Sequence, residues 1–420
     1  MQSNGNRKNG LSALLVAQFM GAANDNILKT LLSFAVVRGI WEGRLGEGGQ
    51  GLVALCLFVP FILFSGWAGP LADRYSKRTI AVAMKGVEVP LALAAGIGFL
   101  TSNLWLTLCS MILLATQSTF FSPAKYGMIP EIVRLDRVSR ANGILNMTTN
   151  IAVIFGMLVA GSVSDGLKET EQLLHLWLPG VSLLSVAVIG FLAIVLLPPL
   201  SPTSETTKLT INPLETYIKT AKWAWGSPLI AGALSWSLFY LIATLALLVV
   251  TELGDLLQVS DAKISYILAT LGVAVGLGSL TTGFVSKSRI RIDVSRIGAI
   301  CMGVVLCIAG FVSPNYLGTV VLMFCLGFSA GLYAVPLQSL MQMLPNPDHR
   351  GRVLASCNAL SFLFMGVGSL AYWLMRPLFG DHPQHLFVVC GGIAFLAWYS
   401  CKRIPSVESH VNSIISSTSV

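Results

Sequence analysis

The 420-residue sequence predicts an all-α membrane protein with twelve transmembrane helices in two six-helix pseudo-repeat bundles and both termini cytoplasmic. Three observations lead to this fold class. Hydrophobic residues make up 54% of the chain and charged residues only 11%, whereas soluble domains carry about 25% charged residues. Apolar runs long enough to cross a bilayer recur along the chain, and the basic residues are concentrated in alternate connecting segments.

The apolar runs define the helices in order. A helix needs about 20 predominantly apolar residues to cross the hydrocarbon core. Twelve segments approach or meet this length: 12–37, 49–70, 79–100, 104–121, 142–163, 176–198, 228–250, 264–286, 297–313, 317–338, 353–374 and 385–402. The 40 glycines are typical of membrane helices that pack through small side chains.

The distribution of lysine and arginine predicts the orientation. If the N-terminus is cytoplasmic, 21 of the 27 basic residues lie in or beside cytoplasmic segments, five lie on the opposite side, and Lys29 lies within the first span. This asymmetry follows the positive-inside rule. Both termini are therefore predicted in the cytoplasm of a multi-pass protein, which requires an even number of spans.

A polar connector between the sixth and seventh spans divides the chain in two. The predicted organisation is a first six-helix bundle (1–198), a cytoplasmic linker with an amphipathic helix (199–227), a second six-helix bundle (228–403) and a disordered tail (404–420). The linker begins with Pro, Ser and Thr residues and then alternates aromatic residues with lysines, a pattern that favours a helix on the membrane surface.

The two halves resemble each other at an offset near 213 residues. The stretch Ser122–Asn146 aligns with Val335–Ala359, and both read as a helix exit, a Pro-containing basic loop and a helix re-entry. Repeated six-helix bundles around a site at the membrane midplane are an architecture of transporters.

The loop between the second and third spans carries a recognisable motif. It reads GPLADRYSKR, with Gly69, Asp73, Arg74, Lys77 and Arg78 at the motif positions. It resembles the signature loop of the major facilitator superfamily, and the resemblance implies a gating latch between helices. The alternative interpretation is a positively charged turn that only obeys the topology rule.

Three further stretches are similar to the lysophospholipid transporter family of Gram-negative inner membranes. They are AQFMGAANDNILK (Ala17–Lys29), FFSPAKYGMIPEI (Phe120–Ile132) and RANGILN (Arg140–Asn146). The resemblance implies a flippase that moves lysophosphatidylethanolamine or lysophosphatidylglycerol inward, with membrane lipids around it and an acyltransferase partner that re-acylates the product. It also implies a basic residue in the seventh span, but that span contains none.

The first span has polar residues where lipid is expected. Asn24, Asp25, Asn26 and Lys29 lie near its middle, and Asp25 and Lys29 are four residues apart on one helical face. Charges at the bilayer centre cost about 2.5–3.5 kcal/mol each on insertion scales, so they usually face a cavity or a partner. We keep three interpretations: contact with a substrate headgroup, a buried structural ion pair, and proton coupling through Asp25.

Other polar and aromatic residues complete the predicted substrate site. Lys125 follows the fourth span and either contacts the headgroup or extends to cytoplasmic phosphates. Lys85 and Glu88, three apart in the third span, favour a structural pair. The remaining predicted site residues are Asn142 and Asn146 in the fifth span and Trp236 and Tyr240 in the seventh, the latter two as a wall for an acyl chain.

Composition also argues against other classes of protein. The eight cysteines are scattered singly in apolar runs, which favours small hydrophobic residues over metal ligands, and no cofactor is predicted. The net charge of +8 follows membrane topology and does not indicate nucleic-acid binding. No Ser/His or His/Asp arrangement suggests a membrane enzyme. Because a fold does not fix the substrate, the alternative function is a proton-coupled exporter of small amphipathic compounds.

Overall fold

The protein is described by a computed structural model over residues 4–39, 41, 44–133, 138–167, 177–200, 218, 222, 227–286, 291–312, 315–343 and 347–404. Within these residues the regular structure is helical, with twelve long helices. Their bounds are α1 Asn4–Val37, α2 Gly49–Arg74, α3 Lys77–Leu100, α4 Leu104–Ile132, α5 Val138–Gly166, α6 Leu178–Val195, α7 Pro228–Leu257, α8 Asp261–Ser286, α9 Ile292–Phe311, α10 Tyr316–Met343, α11 Pro347–Met375 and α12 Leu386–Lys402. The predicted all-α membrane fold is confirmed.

Eleven of these helices, α2 to α12, are long and apolar enough to cross a membrane, judged on the described residues. Helix α1 is the exception, although it is 34 residues long. Its central stretch contains Asn24, Asp25, Asn26 and Lys29, which lower its hydropathy. The polar stretch that the sequence singled out is thus the feature that sets α1 apart from the other helices.

Two predicted loops are helical in the structure. Helix α4 was expected to end near residue 121, but it continues through Pro123 to Ile132, so the SPAKYG stretch is part of the helix. Prolines are tolerated in membrane helices because neighbouring groups satisfy the backbone atoms that they free. The GPLADRYSKR motif likewise lies mostly in the last turns of α2 and the first turn of α3, and only Tyr75 and Ser76 connect them.

Contacts divide the described residues into two compact units. The first comprises the ranges Met1–Leu214 and Gln258–Ala269. In it α1 packs mainly against α5 and α6, and α3 packs against α4 and α6. Glycines permit the closest approaches: a Cβ on Gly156 of α5 would lie 2.7 Å from the carbonyl oxygen of Ala23 in α1.

The second unit comprises Glu215–Leu257 and Thr270–Val420. Here α9 packs against α10 and α12, and α7 packs against α11, α12 and α10. Tyr333 of α10 is fully buried, and its hydroxyl donates to the carbonyl oxygen of Ser235 in α7 at 2.6 Å. Ser295 of α9 donates to the Tyr333 carbonyl at 2.8 Å. The hydroxyl groups of Tyr333 and Ser295 therefore join α10 to α7 and α9 to α10.

The predicted amphipathic linker helix and disordered tail lie almost entirely outside the described residues. Of the linker, the structure describes Pro199, Leu200, Ile218, Lys222 and Ser227, and Ile218 and Lys222 are helical and exposed. Of the tail, it describes only Ile404. Both predictions stay predictions.

Candidate functional site

Asp25 lies in the middle of α1 and faces α4. Its carboxylate accepts a hydrogen bond from the Ser118 hydroxyl at 2.8 Å. Ser118 also contacts the side-chain oxygen of Gln117 at 3.2 Å. No cation lies within ion-pair distance of Asp25 among the described residues. A hydroxyl group, and not a charge, is therefore the partner that the fold supplies to this acid.

Lys29 lies one turn beyond Asp25 on the same helix and is only partly exposed. In the part of the chain that the structure describes, its ammonium group has no ion-pair partner. The Asp25–Lys29 ion pair, one of the three predicted alternatives, is therefore not formed. Asn26 is satisfied locally, because its amide donates to the carbonyl of Ala22 at 2.8 Å.

A buried ion pair lies beside this stretch. The Lys85 ammonium donates to Glu88 at 2.6 Å, and both side chains are 1% exposed, so the predicted structural pair is confirmed. The other Glu88 oxygen accepts from the amide of Asn24 at 3.0 Å, which links α3 to α1. The Lys85 ammonium also lies over the ring of Phe121 in α4, 5.3 Å from its centroid.

The Lys85 side chain fills a space that glycines leave open. Its ammonium lies against Gly21 of α1, and a Cβ on Gly190 of α6 would lie 3.6 Å from it. The buried pair of α3 thus contacts three other helices of the first unit, α1, α4 and α6. The spacing of Lys85 and Glu88 in the sequence predicted their ion pair. The hydrogen bond from Asn24 to Glu88 could not be predicted in this way, because it depends on how α1 packs against α3.

Tyr126 connects the neighbourhood of Lys125 in α4 to Asn146 in α5. Lys125 is buried, and its ammonium lies 4.8 Å from the centroid of the Tyr126 ring. It forms no ion pair with another described residue. The Tyr126 hydroxyl donates to Asn146 at 3.3 Å. Asn142 is helical, but its side chain is outside the described part of the structure.

The motif at the α2–α3 turn fastens that turn to its neighbours within the first unit. Lys77 pairs with Glu131 of α4 at 2.5 Å. Arg78 donates to the carbonyl oxygens of Leu197 and Val195, at 2.6 and 3.1 Å, and so caps the C-terminal end of α6. Arg74 is exposed.

The remaining motif residues, Gly69 and Asp73, are helical, but their side chains lie outside the described residues. The predicted gating role of the motif therefore stays a prediction. In the structure, Lys77 of the motif joins α3 to α4, and Arg78 joins α3 to the end of α6.

The predicted aromatic wall forms a cluster in the second unit. Trp236 is 9% exposed and stacks on Phe239, with ring centroids 6.1 Å apart. Tyr240 meets both rings edge-on, with each centroid separation 5.2 Å. Phe239 also contacts Tyr333, 6.1 Å between centroids. The two predicted residues, Trp236 and Tyr240, therefore belong to a larger cluster that also contains Phe239 of α7 and Tyr333 of α10.

The first unit contains both neutralised and unneutralised charges. Lys77–Glu131 and Lys85–Glu88 are ion pairs. Asp25, Lys29 and Lys125 form no ion pairs with other described residues. One acid and two bases are thus outside the ion pairs of the described residues. Among the described residues, no group of three or more His, Cys, Asp or Glu residues could hold a metal ion.

Sequence reasoning missed two further clusters, each near a helix end opposite the basic segments. One joins Arg38, Ser164 and Asp165 to Asp261. The other joins Glu252 to Arg376 and Tyr372, with Tyr372 as a donor to the carboxylate. Arg38 and Arg376 are two of the five basic residues that the sequence places opposite the basic segments. Their unusual position could have indicated that they have acidic partners.

Two helical units, eleven apolar spans among the described residues and the match to a transporter family identify a multi-pass membrane transporter, and not an enzyme. The chain belongs to the Major Facilitator Superfamily, whose family profile matches residues 14–369 and 237–413.

The chain is also similar to named members of one transporter group. It is 25% identical to the "Lysophospholipid transporter LplT" of Cronobacter sakazakii, over 94% of this chain and 96% of the relative. It is 25% identical to the protein of that name from Photorhabdus laumondii, over 79% of this chain and 80% of the relative. The Escherichia coli (strain K12 / DH10B) protein is 25% identical, over 88% and 90%.

Solved transporter structures share the fold. A bacterial homologue of the human lysosomal transporter Spinster, in an inward-facing conformation, has a TM-score of 0.71 at 12% identity, covering 96% of this chain and 99% of the other. The xylose transporter XylE from E. coli, inward open, has a TM-score of 0.67 at 13% identity, covering 94% and 95%. At this identity the likeness concerns the fold alone.

Proposed function

We propose that this protein moves lysophospholipids, lysophosphatidylethanolamine or lysophosphatidylglycerol, inward across a bacterial inner membrane by alternating access. Two kinds of support lead to this function. The similar proteins that cover most of the chain carry the name lysophospholipid transporter. The carrying observation is that Asp25, Lys29 and Lys125 form no ion pairs with described residues of the first unit.

The three free charges match the chemistry of a lysophospholipid headgroup. Lysophosphatidylethanolamine carries an ammonium group and a phosphodiester, so it needs one anion and at least one cation. Asp25 is assigned to the ammonium group, with Ser118 orienting the carboxylate. Lys29 and Lys125 are assigned to the phosphodiester. In lysophosphatidylglycerol, hydroxyl groups would donate to Asp25 in place of the ammonium.

The energetics favour this assignment. An ionised side chain in the membrane interior is costly unless it is paired. The zwitterion lysophosphatidylethanolamine compensates both signs of charge, and the anionic lysophosphatidylglycerol compensates the lysines, whereas an uncharged amphiphile compensates neither. Binding of the zwitterion is therefore favoured by the charges that the fold leaves unneutralised.

Considered by itself, the aromatic cluster of the second unit around Trp236 is proposed as an apolar contact surface for acyl chains. Aromatic rings supply a large apolar contact area, and Trp236 and Tyr333 are already ordered by packing. The proposal also includes the acyltransferase that re-acylates the product on the cytoplasmic side. The acyl-chain part rests on the apolar contact area of the rings, and the acyltransferase part rests on the resemblance of the sequence to the lysophospholipid transporter family.

The test is uptake of labelled lysophosphatidylethanolamine by spheroplasts that produce the protein, compared with empty vector. Asp25→Asn should abolish uptake with the protein still in the membrane, because the amide cannot compensate an ammonium group. Asp255→Asn, which removes an exposed acid near the end of α7, is the matched control and should retain uptake. Lys29→Met should raise KM for the lysophospholipid, and Lys29→Arg should restore it.

The outcomes separate substrate from site. Uptake at the empty-vector level, with the protein confirmed in the membrane, would contradict the lysophospholipid substrate and favour export of small amphipathic compounds. Full uptake by Asp25→Asn would contradict the site but leave the substrate in place.

A further inference from the structure

Gln117 of α4 is a buried amide with one end unpartnered, and it lies close to the Asp25 carboxylate. The residue is 4% exposed, and its amide nitrogen has no hydrogen-bond partner among the described residues. Its amide oxygen lies 3.2 Å from the hydroxyl oxygen of Ser118, which is itself 2.8 Å from the Asp25 carboxylate. A buried amide end without a partner costs free energy, which a ligand of the right chemistry would recover.

The hydroxyl groups beside Gln117 in α4 are used in two different ways. Thr116 and Thr119 each donate to the backbone carbonyl oxygen of the residue four positions earlier. Such bonds satisfy a hydroxyl group within its own helix. Ser118 instead directs its hydroxyl group to Asp25 of α1. Gln117, Ser118 and Asp25 therefore form a separate chain of polar groups that reaches from α4 to α1.

This chain of polar groups has one hydroxyl hydrogen for two acceptors. The Ser118 hydroxyl group has a single hydrogen, whereas its oxygen faces both the Asp25 carboxylate and the Gln117 carbonyl oxygen. An ionised carboxylate is the stronger acceptor, and here it is also the nearer one. With the hydrogen directed to Asp25, half a turn of the Gln117 amide makes its nitrogen a donor to Ser118 and leaves its oxygen unpartnered. The unpartnered end of the amide is then an acceptor close to the acid.

A carboxylate and an amide oxygen in this arrangement fit a primary ammonium group. Both the Gln117 amide and the Asp25 carboxylate lie within 3.2 Å of one hydroxyl oxygen. Their facing atoms are therefore at most about 6 Å apart, a span that two hydrogen bonds from one nitrogen can cover. A primary ammonium group has three hydrogens, so it can donate to the carboxylate and to the amide oxygen at once.

We propose that Gln117 is a specificity-determining residue for primary ammonium headgroups, with its amide oxygen as the second acceptor beside the Asp25 carboxylate. The ammonium group is that of lysophosphatidylethanolamine, so this role of Gln117 rests on the proposed function. Ser118 is the positioning residue, because its hydroxyl group contacts both the carboxylate and the amide. A dimethylated ammonium group has a single hydrogen, which the carboxylate takes, and the amide oxygen then has no contact with it.

The test is a thermodynamic cycle that combines a change at Gln117 with a change in the ligand. Isothermal titration calorimetry measures binding of short-chain lysophosphatidylethanolamine and of its N,N-dimethyl analogue to the purified protein in lipid nanodiscs, corrected with empty nanodiscs. Gln117→Met keeps the length of the side chain and removes the amide. It should weaken binding of lysophosphatidylethanolamine about tenfold or more, the usual effect of losing a hydrogen bond to a charged group. Binding of the dimethyl analogue should change by no more than about twofold.

Gln18→Met is the matched control. Gln18 of α1 is also a buried glutamine, 5% exposed, but its amide already donates to the Thr149 hydroxyl group at 2.9 Å. Its substitution should change the binding of both ligands by the same factor. If the size-exclusion profile and the melting temperature show that Gln117→Met is not folded, Gln117→Leu carries the test.

The outcomes separate the role of Gln117 from the identity of the substrate. A loss of about tenfold that is confined to lysophosphatidylethanolamine in Gln117→Met, and absent from Gln18→Met, would support the specificity role. Equal losses for the two ligands in Gln117→Met, or no loss for either, would overturn that role, while binding by the parent protein would leave the substrate in place. No binding of either ligand by the parent protein would overturn the lysophospholipid substrate and the role of Gln117 together.

Discussion

Removing one partner of the buried Lys85–Glu88 pair should destabilise the protein more than neutralising both. Lys85→Met leaves Glu88 ionised at 1% exposure, with the Asn24 amide as its remaining partner. Glu88→Gln leaves the Lys85 ammonium equally buried. Each single change should cost about 3–5 kcal/mol, the usual penalty for an uncompensated buried charge.

The double variant Lys85→Met/Glu88→Gln contains no buried charge, and its glutamine still accepts from Asn24. Its cost should fall to about 1–3 kcal/mol, the range for imperfect burial of polar groups. The double variant should therefore be more stable than either single variant. The measurement is reversible unfolding in detergent, monitored for all three variants and the parent protein. A double variant that is the least stable of the set, with additive single effects, would refute the reasoning.

Lys77–Glu131 provides a matched comparison within the same unit. It is also a lysine–glutamate pair with a short contact, 2.5 Å, but the Glu131 side chain is 27% exposed. Solvent screens such a pair, and partly exposed pairs usually contribute up to about 1 kcal/mol. The same set of Met and Gln variants at these positions should therefore give much smaller changes than at Lys85 and Glu88.

Two further predictions concern helix packing and capping. Gly96→Ala should destabilise the folded protein by about 1–3 kcal/mol through overpacking, because the added Cβ would lie 2.5 Å from the Cα of Gly180. The control is Gly392→Ala, whose Cβ would meet nothing within 4 Å. This control should leave the melting temperature unchanged or slightly higher. Arg78→Gln removes two hydrogen bonds to carbonyls at the end of α6, so amide hydrogen exchange there should become faster, whereas Arg74→Gln, at an exposed position, should not alter it. Equal melting temperatures for the two glycine variants, or equal exchange for the two arginine variants, would contradict these interpretations.

The fold could be predicted from the sequence because each span must contain enough consecutive apolar residues to cross the bilayer. Apolar length and the positions of lysine and arginine gave the number and order of helices. The ends of helices were harder to predict from the sequence. A helix can continue beyond the apolar core into the polar layer of the membrane, where its residues are no longer hydrophobic. The sequence pattern predicts a loop at Pro123, whereas α4 continues through this residue to Ile132 in the structure.

The candidate site was predicted only as far as single helices allow. Spacing within α3 identified Lys85 with Glu88, and spacing within α1 placed Asp25 and Lys29 on one face. Contacts between helices decided the rest. Ser118 lies 93 positions after Asp25, and no local pattern connects them.

The polarity of α1 has a consequence for how the chain enters the membrane. Its first partners in the fold, Glu88 for Asn24 and Ser118 for Asp25, are synthesised 64 and 93 residues later. Asp25 and Lys29 each oppose partition into lipid by about 2.5–3.5 kcal/mol on the translocon scale. We therefore expect α1 to insert weakly on its own and to be stabilised only after α3 and α4 have been synthesised. Integration of the first unit should thus be cooperative, because its first helix depends on helices made after it.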